Sequence, residues 1–508
     1  MKKRWQDFRG RVDAVPGVHF AEDVETEPDH GSRNESNHSS DVAAGAIRPR
    51  RPRSTSGRAP ILSAILLVTS LLLTGSGSPA LAADDEAPLA DLSLGSGISA
   101  AAAGPQWNGW VQADMAYATP SPGHFTHLRT RGELAGRGDW GDGMRWRLSA
   151  RASLDGAFSS DHYPHAVRRD QRAEVSLHEA YVDFSGGDWE FRLGKQNIVW
   201  GEMVGLFFAD VVSAKDMRDS VLPEFDQIRI PQWAARAEWF GGDSHLELVW
   251  LPWPDVDDIG KPGAEFYPYP LQYEGYGYVI DGERRPKRKL SRSGIGARWS
   301  TLVDGWDWSA FVYRAPDTQA AFYRSLGPGP TPDLAPIVHW RARHDQVTRI
   351  GGTVTKDFDG IVFKAEAIHT RGRGFQLLPL DAGNGVTKLR TLDWIAGLDL
   401  TPVARWRINT QLFQRVFLDH ERATGMKRYE TGATLLVTHE ITDRIDGEFL
   451  AISSLNRSDR LLRASLSWAY DANLRFRAGI DTFSGHPLGL FGRYDDSDRV
   501  WLEARYSF

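Results

Sequence analysis

Apolar and polar residues alternate along the last nine residues of the chain, which read VWLEARYSF. The apolar side chains from Val500 to Phe508 occupy every second position, and Trp501, Glu503, Arg505 and Ser507 lie between them. A period of two places successive side chains on opposite faces of an extended backbone. The pattern therefore predicts a terminal strand with one apolar face.

The same alternation recurs from Trp107 onward. Residues 144–154, MRWRLSARASL, carry apolar side chains on one face and arginine or serine on the other. Similar segments lie at 233–239, 246–250, 295–299, 306–312, 361–367, 394–400, 406–412, 462–468 and 474–480. Such polar faces are too charged for a soluble core and too regular for loops, so the segments are predicted strands with one polar face.

The links between these strands alternate in length. Longer links fall at 118–123, 155–172, 197–227, 254–289, 316–336, 375–387, 419–425, 456–459 and 484–497. Short links rich in Gly, Asp, Asn and Pro separate them, as in Asp471-Ala472-Asn473 and Gly241-Gly242-Asp243. We predict an all-β, antiparallel up-and-down barrel over residues 107–508, with about 18 strands, or 16 if residues 338–355 are divided differently.

The N-terminal part has a different composition. Residues 61–73, ILSAILLVTSLLL, form the one long apolar run, which follows five arginines and precedes small residues at Ala80 and Ala82. This arrangement predicts a signal peptide over 58–82, cleaved after Ala82, although an anchor helix is the alternative. Residues 1–57 are then either a disordered leader or the result of a wrongly assigned start codon. Residues 83–106 are predicted to be a periplasmic linker.

The alternation alone does not distinguish a soluble sandwich from a membrane barrel. The export signal and the C-terminal Phe508, which resembles the signature that barrel-insertion machinery recognises in outer-membrane proteins, favour the barrel. A chain with no second long apolar run can cross a bilayer only as a closed barrel. We therefore predict the outer membrane of a Gram-negative bacterium, with its lipid, its lipopolysaccharide and the insertion machinery as partners. The net charge of −6 gives no footprint for nucleic acid.

Residues 191–239 contain a recognisable motif, LGKQNIVWGE followed by two spaced aspartates and Leu-Pro. It resembles the proteobacterial porin-like outer-membrane family of unknown function DUF1302 and, more distantly, the alginate-export porins. The matching positions are Leu193, Gly194, Lys195, Gln196, Trp200, Gly201, Glu202, Asp210, Asp216, Leu222 and Pro223. The resemblance implies an outer-membrane barrel, but the family has no settled substrate. The chain departs from it at residues 212–216, where relatives tend to have Asn-Pro-x-Asp.

The segment 197–227 is predicted to fold inward as a constriction. Its apolar residues, such as Val211 and Val212, are too many for a solvated loop, and its charged residues, such as Asp210 and Arg218, are too polar for lipid. An external loop that packs on its neighbours is the alternative.

Arginine is frequent on the predicted lumen face. The candidate pore-lining residues are Arg129, Arg131, Arg145, Arg147, Arg151, Arg192, Arg236, Arg405, Arg407, Arg475 and Arg477. Acidic residues on the same face allow cross-wall ion pairing, whereas arginine alone would favour the passage of anions. The aromatic stretch 266–270 suggests either loop and interface packing or capture of a solute.

Motifs for other chemistry are absent from the sequence. There is no cysteine, no metal-binding HExxH motif, no phosphate-binding loop and no serine-hydrolase elbow, so we predict no catalytic residues, no metal and no cofactor. The sequence predicts an outer-membrane channel for passive uptake or passage of small anionic or amphipathic solutes. The alternative is a non-conducting barrel, either a structural surface protein or the outer-membrane partner of a periplasmic or inner-membrane export system.

Overall fold

The computed structural model describes residues 104–141, 143–201, 203, 209–219, 225–329 and 336–508. The leader, the signal peptide and nearly all of the predicted linker lie outside the described residues, and so do Glu202, Leu222 and Pro223 of the motif. Those assignments stay predictions. Among the described residues, no helix is both long enough and apolar enough to cross a membrane.

The described residues form 23 strands, which we number in chain order. They are β1 (Gln106–Ala118), β2 (His124–Asp139), β3 (Arg145–Asp155), β4 (Ala173–Gly186), β5 (Trp189–Gln196), β6 (Ala214–Lys215), β7 (Arg229–Ile230), β8 (Gln232–Gly241), β9 (Ser244–Leu251), β10 (Gly277–Arg284), β11 (Gly294–Val303), β12 (Trp306–Pro316), β13 (Ala321–Gly327), β14 (Ile337–Arg343), β15 (Gln346–Asp357), β16 (Ile361–Gln376), β17 (Val386–Leu400), β18 (Trp406–Phe417), β19 (Tyr429–Thr442), β20 (Ile445–Ser454), β21 (Asp459–Ala469), β22 (Leu474–Gly485) and β23 (Arg499–Ser507). Two short helices, α1 (His165–Gln171) and α2 (Phe225–Ile228), lie in the links.

Eighteen strands form one closed antiparallel sheet, in which each strand pairs with the next along the chain. The last strand, β23, closes the barrel against β1 in a register that runs from Trp110 opposite Ser507 to Ala118 opposite Arg499. The predicted 18-stranded barrel is therefore confirmed. A closed sheet leaves no unpaired edge, which is the condition for a sheet to cross a bilayer.

The other five strands lie outside the wall. β10, β14 and β13 form a three-stranded sheet from the links that follow β9 and β12, and β6 pairs with β7 inside the link that follows β5. The sequence pattern treated these links as irregular. Residues 338–355, whose division was open, belong to β14 and β15, so only the second part enters the wall.

The outward face of the wall is apolar and exposed. Large side chains at alternate wall positions project from it, among them Leu134, Leu154, Trp250, Ile295, Trp308, Val312, Ile350, Leu412, Ile480 and Leu502. A water-soluble protein does not expose a continuous belt of this kind, whereas lipid covers it in a membrane barrel. The positions between them face inward and carry most of the polar and charged side chains of the wall, together with buried apolar residues such as Phe311 and Leu450.

The C-terminal Phe508 extends the closing seam beyond β23. Its amide donates to the carbonyl oxygen of Gly109 (2.9 Å), and the Gly109 amide donates to the carbonyl oxygen of Phe508 (2.8 Å). The ring lies over Gly109, where a Cβ atom would come within 2.8 Å of it, and is 56% exposed on the lipid side.

We expect Phe508→Asp to reduce insertion into the outer membrane, because a carboxylate replaces the exposed terminal ring at the seam. The measurement is the amount of heat-modifiable folded barrel in unboiled gels. Phe358→Asp, which changes an exposed ring in the turn between β15 and β16, serves as the control. Equal folded amounts in the two variants would contradict the assigned role of Phe508.

Candidate solute pathway

Ten of the eleven candidate arginines lie at wall positions that face the lumen. Register places them opposite other inward residues, as in Arg131 opposite Gln112 and Arg477 opposite Glu503. The ten are Arg129, Arg131, Arg145, Arg147, Arg151, Arg192, Arg236, Arg407, Arg475 and Arg477.

Most of these arginines contact a carboxylate on the same or a neighbouring strand. Arg147 Nε lies 2.6 Å from Glu179, Arg151 Nε lies 2.6 Å from Glu133, and Arg192 donates both Nε and Nη2 to Asp183. Cross-strand ion pairing of this kind stiffens the wall. The lumen wall is therefore lined by alternating charges and not by arginine alone.

Arg405 was wrongly assigned to the pore lining. It precedes β18 in the turn after β17, has a positive φ of 71°, and pairs with Asp443 of the next turn at 2.6 Å. The alternation was extended one step too far, since Trp406 is the first residue of the strand.

Aromatic rings accompany the arginines on the lumen wall. The guanidinium carbons of Arg131, Arg151 and Arg505 lie 6.0, 5.9 and 4.8 Å from the ring centroid of Trp110. Arg463 and Arg477 approach Trp501 at 5.6 and 5.7 Å. Cations attract the faces of aromatic rings at these distances. The wall near the barrel seam thus presents apolar ring surface beside positive charge.

We name residues 197–231, between β5 and β8, the third loop, and residues 252–293, between β9 and β11, the fourth loop. The third loop begins with the motif residues. Gly194, just before it, has a φ of 133°, and a Cβ there would lie 2.1 Å from the carbonyl oxygen of Ala180, so only glycine fits. Lys195 donates to the Leu177 carbonyl (2.5 Å) and the buried Gln196 to the Ala234 carbonyl (3.1 Å).

Trp200 turns the third loop into the lumen. Its ring is fully buried 5.4 Å from Phe311 and 5.9 Å from Tyr313, both inward-facing on β12, and its Nε1 donates to Glu247 of β9 (2.9 Å). It also covers Gly296 of β11, where a Cβ would lie 2.7 Å from the ring. Gly201 allows the next close approach, because a Cβ there would lie 2.8 Å from the Asp210 amide nitrogen.

Glu366 of β16 fastens the loop to the wall. Its carboxylate accepts the amide of Met203 at 3.1 Å and the amide of Ala209 at 2.9 Å, and all three residues are buried. Asp210, the next motif residue, lies 3.1 Å from Arg229 and 3.7 Å from Lys215. Asp216 accepts two bonds from Arg218, and although burial opposes ionisation, Arg218 lowers the pKa of Asp216.

The third loop then reaches the opposite side of the barrel. Asp219 lies 2.9 Å from His127 Nε2 on β2 and 3.2 Å from Arg499 Nη1 on β23. β16 and β2 are the eleventh and second strands of an 18-strand ring, nine apart, and hence diametrically opposed. The loop therefore crosses the lumen, and its described residues fold inward.

The fourth loop makes a second crossing. Phe266 is buried among Leu450, Ile452, Leu461 and Phe483, which are inward-facing on β20, β21 and β22. β9, which precedes the loop, is the seventh wall strand and β21 the sixteenth, again nine apart. The two loops join where Asp216 forms a parallel bridge with Asp258. The aromatic stretch thus packs inside the barrel through Phe266.

Asp481 of β22 is the centre of an ion-pair cluster on the wall near the crossing loops. It is fully buried and accepts Nε of Arg463 at 2.7 Å and Nε of Arg499 at 2.9 Å, and Trp501 Nε1 lies 3.2 Å away. Arg499 in turn links it to Asp219. The sequence analysis expected acidic residues on the lumen face but did not predict which arginine each would contact. The aromatic stretch of the fourth loop was the one local signal for the second crossing.

No group of histidine and acidic side chains in the described part of the chain is arranged to hold a metal ion. The inward face contains instead ion pairs, arginine beside aromatic rings, and two loops that cross the lumen. Such an interior can narrow and polarise an aqueous path.

The family described as "Protein of unknown function (DUF1302)" matches residues 64–245, in agreement with the motif resemblance. No curated protein is a significant match. The similarity to alginate-export porins stays a prediction.

Several solved structures of other bacterial proteins are similar to this chain. OccD3 (OpdP) of Pseudomonas aeruginosa is 8% identical, with a TM-score of 0.48 over 81% of this chain and 93% of its own. OccAB4 of Acinetobacter baumannii is 7% identical, with a TM-score of 0.47 over 80% and 98%. OccK2 (OpdF) of P. aeruginosa in complex with glucuronate is 9% identical, with a TM-score of 0.45 over 80% and 98%. At these identities the likeness concerns the fold alone.

Proposed function

We propose that the protein is a passive outer-membrane channel for small anionic or amphipathic solutes of a Gram-negative bacterium. The observation that carries this proposal is the crossing of a polar barrel lumen by two loops, beside a wall rich in arginine. A barrel of 18 strands encloses a wide interior, and inward loops reduce it to a narrow, charged path. Rings of arginine in a pore favour anions.

The aromatic rings beside the arginines support the proposal that amphipathic solutes can pass. Trp110 and Trp501 present apolar surface at the lumen wall, and the arginines around them provide positive charge. A solute with an apolar body and an anionic group can contact both at once. Aromatic faces and guanidinium groups are also the side chains that recognise planar groups and carboxylates.

A non-conducting barrel is the second candidate, because two crossings can also close a lumen. Purified protein in a planar lipid bilayer distinguishes the two functions. A channel gives discrete current steps that scale with the number of inserted barrels. A closed barrel, acting as a structural protein or as the partner of an export system, gives a folded heat-modifiable band but no steps.

Arg145→Ala combined with Arg147→Ala should shift ion preference towards cations. Both side chains face the lumen on β3, and removal of Arg147 leaves the Glu179 carboxylate without its partner at 2.6 Å. The measurement is the reversal potential in a salt gradient. Arg405→Ala combined with Arg444→Ala removes two charges from turns outside the strands and should leave the potential near the wild-type value. The same potential in both double variants would contradict the assigned pathway.

A further inference from the structure

Two histidines at the start of β2 each hold one of the loops that cross the lumen. His127 Nε2 lies 2.9 Å from Asp219 Oδ2 of the third loop. His124 Nε2 lies 2.9 Å from Glu265 Oε2 of the fourth loop. Both loops are thus fixed to the same strand, which lies opposite the Glu366 anchor of the third loop.

The second nitrogen of each ring also contacts an oxygen that can only accept a hydrogen bond. His127 Nδ1 lies 2.8 Å from Asp155 Oδ2, and His124 Nδ1 lies 3.1 Å from the carbonyl oxygen of Pro122. A neutral imidazole has one N–H, and the other nitrogen presents a lone pair. Two such acceptors can both receive a hydrogen bond from one ring only when that ring is an imidazolium with two N–H groups.

The pKa values of Asp219 and Glu265, which contact the Nε2 atoms, are lowered. Burial opposes the charge of Asp219, but Arg499 and then His127 hold the pKa of Asp219 well below its usual value. For Glu265, burial again opposes the charge, and the bond from His124 lowers the pKa. Histidine is the side chain whose ordinary pKa, about 6.5, lies near neutrality.

Other groups act on the two rings from every side. Around His127 they are Arg129 on the same strand, Asp114 on β1, Asp155 on β3, the edge of Phe158, and Arg499 through Asp219. Around His124 they are His162, stacked at 3.9 Å between ring centroids, Tyr163, and Ser497, which donates to Glu265. Burial and Arg129 oppose a second proton on His127, whereas Asp219 and Asp155 favour it. His162 opposes a second proton on His124, and Glu265 favours it.

We propose that docking of the third and fourth loops across the lumen is coupled to the binding of one proton by His127 and one by His124. The proposal rests on the channel function. As the pH rises above the pKa of the docked ring, the proton leaves, one acceptor faces a lone pair, and the loop loses its anchor on β2. Each coupled proton weakens docking by about tenfold per pH unit above that pKa. Asp219 keeps its contact with Arg499, so release widens the path several-fold but does not empty the lumen.

Single-channel recordings test the coupling. We expect wild-type conductance to rise several-fold between about pH 5.5 and about pH 8.5, a range that brackets the ordinary histidine pKa. His127→Gln combined with His124→Gln should conduct at the high level throughout. His245→Gln is the matched control, since His245 faces the lumen and contacts Glu238 at 3.1 Å, but its other nitrogen meets the hydroxyl of Ser300, which can donate. The control should keep the wild-type pH profile.

A second variant acts from the loop side. Asp219→Asn leaves β2 intact and removes the charge that stabilises the imidazolium, so its conductance should also be high and less dependent on pH. Folding of every variant is checked by heat modifiability. An unchanged wild-type pH profile in both the double histidine variant and Asp219→Asn would overturn the proposal.

A readout independent of conduction separates this proposal from the channel function. In ¹⁵N-histidine-labelled protein, the ring signals of His127 are the ones that disappear in His127→Gln. In the wild type these signals should show both ring nitrogens protonated at about pH 6, where half or more of free histidine is still protonated. They should still do so at higher pH, where free histidine is neutral. If no current appears at any pH but these signals do, the channel function fails and the proton-coupled docking stands. If the signals show one unprotonated nitrogen at weakly acidic pH, the docking proposal is wrong.

Discussion

Replacement of Asp481 by alanine is expected to lower the free energy of unfolding by about 3–5 kcal/mol, the range for breaking a buried ion pair from one side. The variant leaves Arg463 and Arg499 buried without the carboxylate that both contact, and their side chains are only 7% and 5% exposed. Unfolding by guanidinium in detergent micelles, followed by loss of the heat-modifiable band, measures the change.

Asp443→Ala is the matched control for this prediction. Asp443 also accepts an arginine at short distance, 2.6 Å from Arg405, but its side chain is 87% exposed. Water replaces the lost contact there, and exposed pairs contribute little. If the two variants lost equal stability, burial would not be the source of the effect at Asp481.

Deletion of residues 204–219 is expected to raise single-channel conductance several-fold, because the segment links Glu366 on one side of the lumen to β2 on the other. Glu366→Ala should act in the same direction, since it removes the acceptor of two buried amides that hold the loop to the wall. Single-channel steps in planar bilayers measure both effects.

Glu448→Ala serves as the control for the loop variants. Glu448 lies on β20, faces the barrel lumen and is opposite Thr438 and Ser465. The substitution therefore removes a lumenal negative charge that does not anchor the third loop. Its conductance should stay close to that of the wild type. Wild-type conductance in the deletion would mean that the third loop does not limit the path.

The sequence predicted the wall well, because the wall depends on local rules. A period of two decides which side chains face outward, and turn residues such as Asp304 and Gly305, both with positive φ, mark where strands end. The error at Arg405 came from the same rule, since alternation does not mark the first residue of a strand. The sheet of β10, β13 and β14 was missed because its strands lie in links between wall strands, and because β10 pairs with β14 across two different links.

The partners of the charged residues could not be predicted from the pattern. Trp200 and Glu247 are 47 residues apart, and Met203 and Glu366 are 163 residues apart. Such contacts depend on the barrel circumference and on how far each loop reaches, which composition does not contain. The motif glycines indicated the start of the third loop better, because a side chain at Gly194 or Gly201 would clash with the backbone where the loop begins.

The loop anchors also determine when the interior can become narrow during assembly. Asp219 docks on Arg499, 280 residues later in the chain, and Phe266 docks among residues up to Phe483. Contacts of such long separation form late, after the intervening chain has been ordered. Until the last hairpin, β22 and β23, pairs with β1, neither loop can make all of its contacts with the wall. Closure of the seam and narrowing of the interior therefore occur together. A barrel arrested one hairpin short is then both open at its edge and wide at its centre.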